Sequence, residues 1–92
     1  MLDNKAEEVI SKNKNMMVPW YLMGAYAYYV EDDPVLSDSY FDNLAKRMMD
    51  DWDNIEHFHK HLLGPMDLLA GTYLGEYPER VKGGVEALRK MK

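Results

Sequence analysis

Asp33-Pro34 is the step that most constrains what this chain can fold into. Proline disfavours the α region for the residue before it, so a helix arriving from the N-terminal side must stop near Asp33. Helical periodicity is present on both sides of the step. Before it, Trp20, Met23, Ala27 and Val30 form one apolar stripe, and Pro19 suits the first turn of a helix, where its missing N–H costs little. After it, Phe41, Leu44, Met48, Trp52, Ile55 and Leu62 recur at three, four or seven. Ser37 is a good N-cap for this second helix, and Asp38 in its first turn complements the macrodipole. The pattern predicts helices over about 19–31 and 38–62, folded into an antiparallel hairpin by the acidic turn Asp32-Asp33-Pro34, with Gly64-Pro65 ending the second.

The rest of the chain reads as helical too. Leu2 to Ser11 is a short helix with Leu2, Ala6, Val9 and Ile10 on one face, and KNKN after it is a connection. Pro65 to Tyr73 is a short helix. Pro78 opens a last one, with Val81, Val85, Leu88 and Met91 as its stripe. Gly83-Gly84 inside that last helix costs about 1 kcal/mol per residue relative to Ala, so the helix needs docking to hold. No alternating strand, repeat or low-complexity tract is visible. The expectation is one all-α domain of four or five helices over residues 1–92, with a C-terminal helical extension over 65–92.

Composition narrows the class. The chain has 92 residues and no cysteine, so disulfides cannot compensate for a small core. No apolar run reaches the ~20 residues of a membrane span, and the N-terminus has no apolar stretch of signal type. A soluble, cytoplasmic protein with no membrane contact is the expectation. The net charge of −5 argues against direct nucleic-acid binding, which needs cations on phosphates. The acidity is concentrated: Glu31 to Glu56 holds nine carboxylates against Lys46 and Arg47. That face repels phosphate and attracts cations or basic surfaces, or simply keeps the protein solvated. The basic, amphipathic stretch from Arg80 to Lys92 can dock on this acidic centre, contact a partner, or fray.

Tyr28-Tyr29-Val30, Asp32-Asp33-Pro34, Leu36 and Asp38-Ser39-Tyr40-Phe41-Asp42 together form one register. It resembles the N-terminal Ia domain of bacterial NAD-dependent DNA ligases, over about residues 19–62. In that family the domain recognises the nicotinamide mononucleotide (NMN) half of NAD. The resemblance implies that Tyr28, Asp38 and Asp42 contact this moiety, with Tyr29 and Phe41 at neighbouring site positions. Tyr29 stands where the family usually has His, a phosphate contact. Phe41 stands where the family has Tyr, keeping the stacking face and losing the hydroxyl. The chemistry is coherent, because an oxidised nicotinamide ring is flat and cationic and suits aromatic faces and carboxylates. The ligase nucleophile, a Lys in a Lys-x-Asp-Gly motif on a separate nucleotidyltransferase domain, does not occur in this chain. The expectation is therefore not an enzyme.

Two further features have a chemical and a structural reading. On a continuous helix Asp53, His57 and His61 fall at i, i+4 and i+8, a spacing that can hold a divalent metal or simply place cations at a helix end; His59 points elsewhere. No metal is assigned there. Eight Met residues, with pairs at Met16-Met17 and Met48-Met49, suit either an adaptable core or an irregular partner surface. The sequence thus favours a non-catalytic interaction or regulatory module that binds a protein partner or forms a homodimer. The alternative is a small binder of NMN or NAD, with no cofactor required. In the partner reading, Tyr21, Tyr26 and Tyr29 are exposed rings beside the acidic Glu31–Asp33 turn.

Overall fold

A computed structural model describes residues 1–57, 60–64, 67–68 and 75–90. The architecture is all-α, and no strand occurs among the described residues. Four α-helices have both ends among the described residues: α1 (Asp3–Lys12), α2 (Met17–Ala25), α3 (Asp38–Asp50) and α4 (Glu79–Lys90). Among the described residues no helix is long and apolar enough to cross a membrane.

Helix α2 is the centre of the domain. Trp20, Tyr21, Leu22 and Ala25 are all buried, so the helix is covered on several sides rather than along one stripe. It packs against α3 on one side and α4 on another. The helix begins two residues before Pro19, because Lys14–Met16 form a 3-10 turn that feeds directly into it. Asn13 caps that turn by accepting from the Asn15 N–H at 3.1 Å. Pro19, now the third residue of the helix, still lies among the positions whose N–H has no intrahelical acceptor.

Helix α1 closes one side through Ala6 and Ile10, both buried, with Leu2 and Val9 packed at the margin. Polar contacts fix its angle. The Asp3 carboxylate accepts from the Ser37 N–H at 2.9 Å and from the Ser37 hydroxyl at 2.6 Å. Ser37 in turn caps α3 by accepting from the Tyr40 N–H at 3.2 Å. One turn further along, Glu7 receives the Arg47 guanidinium at 2.6 Å and the Tyr40 hydroxyl at 3.0 Å. The Arg47 hydrogen bond holds the Glu7 carboxyl below the usual glutamate range, while burial and the Glu7 contact push the Tyr40 phenol up to about 12. Glu7, which lies off the apolar face of α1, is thus a structural anchor.

The second motif helix is shorter than its periodicity predicts. It stops at Asp50 rather than near residue 62, so the hairpin helices cover 17–25 and 38–50. Asp50 and Asp51 place negative charge at a helix C-terminus, against the macrodipole. The Asn54 side chain donates to Asp51 at 2.9 Å, a local bond that competes with helix continuation. Past a 3-10 turn at Trp52–Asn54, the backbone groups find partners elsewhere. The Glu56 N–H donates to Asn15 at 2.8 Å, and Lys60 donates to the Trp52 carbonyl at 2.7 Å while lying 4.7 Å from the Trp52 ring centroid. Ile55 is buried, but from an extended residue. The helical face expected for Asp53, His57 and His61 therefore does not form. Among the described residues no group of three ligating side chains could hold a metal, and His59 lies outside them. Burial pushes the His57 imidazole below its usual value.

The expected helix over Pro65–Tyr73 falls largely outside the described residues; Asp67 and Leu68 are helical. Helix α4 buries Val81, Val85 and Leu88 as its spacing predicts, while Met91 lies outside the described residues. Of the three fates open to the basic C-terminal stretch, docking is the one observed. Arg89 reaches the acidic turn and donates to Glu31 at 2.9 Å, to the Asp33 carboxylate at 2.7 Å and to the Asp33 carbonyl at 2.6 Å. Gly84 lets α4 come close, since a Cβ there would lie 2.7 Å from the Met23 sulfur. The methionines are divided in use: Met17 and Met48 fill the core, while Met49 is exposed.

Candidate functional site

The path from α2 to α3 builds the site. After Ala25 the helix widens into a π-helical turn over Tyr26–Val30, with the Glu31 N–H donating to the Tyr26 carbonyl five residues back at 3.2 Å. Such turns are rare and concentrate at functional sites. Here the wider turn keeps Ala27 buried and leaves three successive residues, Tyr28, Tyr29 and Val30, exposed. Val30 is thus displaced from the apolar stripe on which a regular helix places it. The chain then reverses at Asp32, which adopts a left-handed φ of 52°, and the Asp33 N–H returns to the Ala27 carbonyl at 2.9 Å. Asp tolerates that conformation better than most residues.

Beside this reversal lies a cleft of about 190 Å³ lined by Gly24, Tyr28, Tyr29, Leu36, Asp38, Phe41 and Asp42. All five site residues named from the sequence line it. Gly24 and Leu36 are buried and make its apolar end, while Tyr28, Tyr29, Asp38 and Asp42 are exposed around it. Tyr28 and Tyr29 meet edge to face, with centroids 4.8 Å apart. Phe41 is held from behind by Tyr21, whose ring stacks on it at 4.7 Å with 17° between planes. Tyr21 is itself locked, donating from its hydroxyl to the Asp67 carbonyl at 3.2 Å, and burial pushes its phenol well above the usual range. Asp42 pairs with Lys46 at 3.1 Å, an exposed i,i+4 contact that competes only weakly for the carboxylate.

Gly24 is a site residue that no motif in the sequence pointed to. A Cβ on it would come within 3.0 Å of both Leu36 and the Phe41 ring, so the absence of a side chain opens this end of the cleft. The three rings assigned to a partner surface divide differently. Tyr21 is fully buried and Tyr26 half-buried against Tyr77; only Tyr29 is exposed. Two carboxylates of the neighbouring acidic turn, Glu31 and Asp33, are engaged by Arg89.

A second, larger cleft of about 610 Å³ shares Tyr29 with the first. Tyr26, Val30, Gly75, Glu76, Tyr77, Glu79 and Lys82 complete its lining. It escaped sequence reasoning because its walls come from segments some fifty residues apart, with no motif to join them.

Fold and clefts define a small all-α domain in which a helical hairpin presents an aromatic and carboxylate-lined recess. No family model matches the chain, and neither a curated protein nor a solved structure is significantly similar to it.

Proposed function

We propose that the protein is a non-catalytic helical module whose hairpin cleft binds the NMN half of a pyridine nucleotide. One observation carries this reading: Tyr28, Tyr29, Asp38, Phe41 and Asp42 line the same recess. A flat cationic ring fits between aromatic faces, and the two carboxylates serve its charge and the ribose hydroxyls. At about 190 Å³ the recess suits a ring and part of a sugar rather than a whole dinucleotide. The resemblance to the Ia domain of NAD-dependent ligases points to the same ligand. Binding without chemistry is the fitting role, as no nucleophile motif of that family is present in the chain.

Calorimetric titration with NMN, NAD and AMP tests the proposal. NMN should bind and AMP alone should not. Tyr28→Ala or Asp42→Ala should weaken NMN binding by about 1–3 kcal/mol, the scale of a lost cation–π contact or charged hydrogen bond. Absence of saturable binding at millimolar NMN would sink this reading.

The exposed run Tyr28, Tyr29 and Val30 favours a second reading, contact with a protein partner or a second copy of the chain. Aromatic side chains commonly anchor such contacts. Light scattering separates the versions: a homodimer that buries these residues is salt-insensitive, whereas a basic hetero-partner associates more slowly as salt rises.

A further inference from the structure

The guanidinium of Arg89 crosses from α4 to the reversal that follows the π-helical turn. It donates from Nε and Nη2 to the Glu31 carboxylate at 3.3 and 2.9 Å. It also donates from Nη1 to the Asp33 carboxylate at 2.7 Å and from Nη2 to the Asp33 carbonyl at 2.6 Å. The two residues it grips are the two whose backbone N–H groups close the turn. The Glu31 N–H donates to the Tyr26 carbonyl at 3.2 Å, and the Asp33 N–H donates to the Ala27 carbonyl at 2.9 Å. Between them Asp32 holds its left-handed φ of 52°, a conformation that only glycine adopts without cost. Tyr28 and Tyr29 lie within the stretch so closed, and both line the hairpin recess.

The turn by itself is poorly held. Two backbone hydrogen bonds at an exposed helix end are weak restraints, because water competes for the same groups. Glu31, Asp32 and Asp33 are successive carboxylates, and their repulsion favours a more extended path. Arg89 acts against both effects. It neutralises Glu31 and Asp33, and through the Asp33 carbonyl it fixes the backbone as well as the side chains. A contact that only docked α4 would need one carboxylate; the planar fork is used here on two residues and a carbonyl. The Arg89 side chain is only 24 % exposed and follows the buried Val85 and Leu88, so packing of α4 delivers the guanidinium to the turn. We infer that Arg89 is a positioning residue for the hairpin recess: from α4 it clamps the turn that sets Tyr28 and Tyr29 in the wall. Its consequence for NMN rests on the reading of that recess as the ligand site; its consequence for the two rings does not.

The test is NMR of the full chain without ligand, following the nuclear Overhauser contact between the Tyr28 and Tyr29 rings, which meet at 4.8 Å. Arg89→Ala should lose this contact, and Arg89→Lys should restore part of it. Glu31→Ala, made from the turn side, should weaken it in the same direction. Arg47→Ala is the control: it breaks the α1–α3 pair with Glu7, so it lowers stability without touching the turn and should leave the ring contact intact. A circular-dichroism spectrum checks that each variant is folded. NMN affinity should fall in Arg89→Ala by up to about thirty-fold, since only molecules with the turn closed are competent to bind. Unchanged ring contact in both Arg89→Ala and Glu31→Ala, or an equal loss in Arg47→Ala, would overturn the inference. Failure of the unaltered chain to bind NMN would count against the ligand reading alone, because the ring contact is measured without it.

Discussion

Alanine substitution of the helical glycines separates local propensity from packing within one molecule. Gly83 and Gly24 both lie inside helices, in α4 and α2. In either, Ala is favoured over Gly by about 0.8–1 kcal/mol from backbone propensity alone. A Cβ on Gly83 meets nothing within 4 Å, so Gly83→Ala should realise that gain and raise Tm by about 4–8 °C per kcal/mol. A Cβ on Gly24 lies 3.0 Å from Leu36 Cδ1 and from Phe41 Cδ1, and 3.1 Å from Phe41 Cε1. Phe41 cannot simply retreat, because Tyr21 is stacked behind it. Overpacking of this kind costs about 1–3 kcal/mol, which outweighs the propensity gain and leaves Gly24→Ala neutral to about 2 kcal/mol destabilising. The displaced Phe41 ring should also narrow the hairpin cleft, so NMN affinity should fall together with stability. Thermal denaturation of the three proteins, followed by NMN titration, makes the comparison. A Gly24→Ala protein as stable as Gly83→Ala would refute the close packing of α2 on α3 that the argument uses.

Two more outcomes follow from the ion pairs. Arg89→Ala removes a three-way contact to Glu31, Asp33 and the Asp33 carbonyl; the groups are partly exposed, so the loss should be about 1–2 kcal/mol, smaller in high salt, with Arg89→Lys recovering only part of it because an ammonium cannot fork. Glu7 has its carboxyl pKa lowered from about 4.5 by Arg47, so the folded chain releases that proton more readily than the unfolded one. Its stabilisation is present above about pH 4.5 and is lost as pH falls through the lower folded value, and acid denaturation of Glu7→Gln should show a flatter pH dependence over that window.

Helix type and approximate position were legible because they rest on local rules. Ser37 caps α3 as a serine before an amphipathic run should, the helical path before Pro34 ends at Val30, within one residue of the expected limit, and Val81, Val85 and Leu88 face inward as their spacing requires. The aromatic and acidic residues around the hairpin cleft were legible for a related reason. They flank one short turn, and a turn that joins two packed helices leaves its neighbours little choice of direction.

What periodicity could not deliver is everything decided by atoms distant in sequence. The run from Phe41 to Leu62 keeps helical spacing throughout, yet the helix ends at Asp50, where the local Asp51–Asn54 contact competes with it and the distant Asn15 accepts from the Glu56 N–H beyond it. Tyr21 reads like its neighbouring tyrosines but is buried, since Phe41 and Asp67 arrive from elsewhere to cover it. The choice of Arg89 for the acidic turn and the meeting of Tyr26 with Tyr77 are of the same kind. Local sequence determines which backbone states are cheap; tertiary packing decides among them, because a buried polar group or ring must find its partner wherever the rest of the chain provides one.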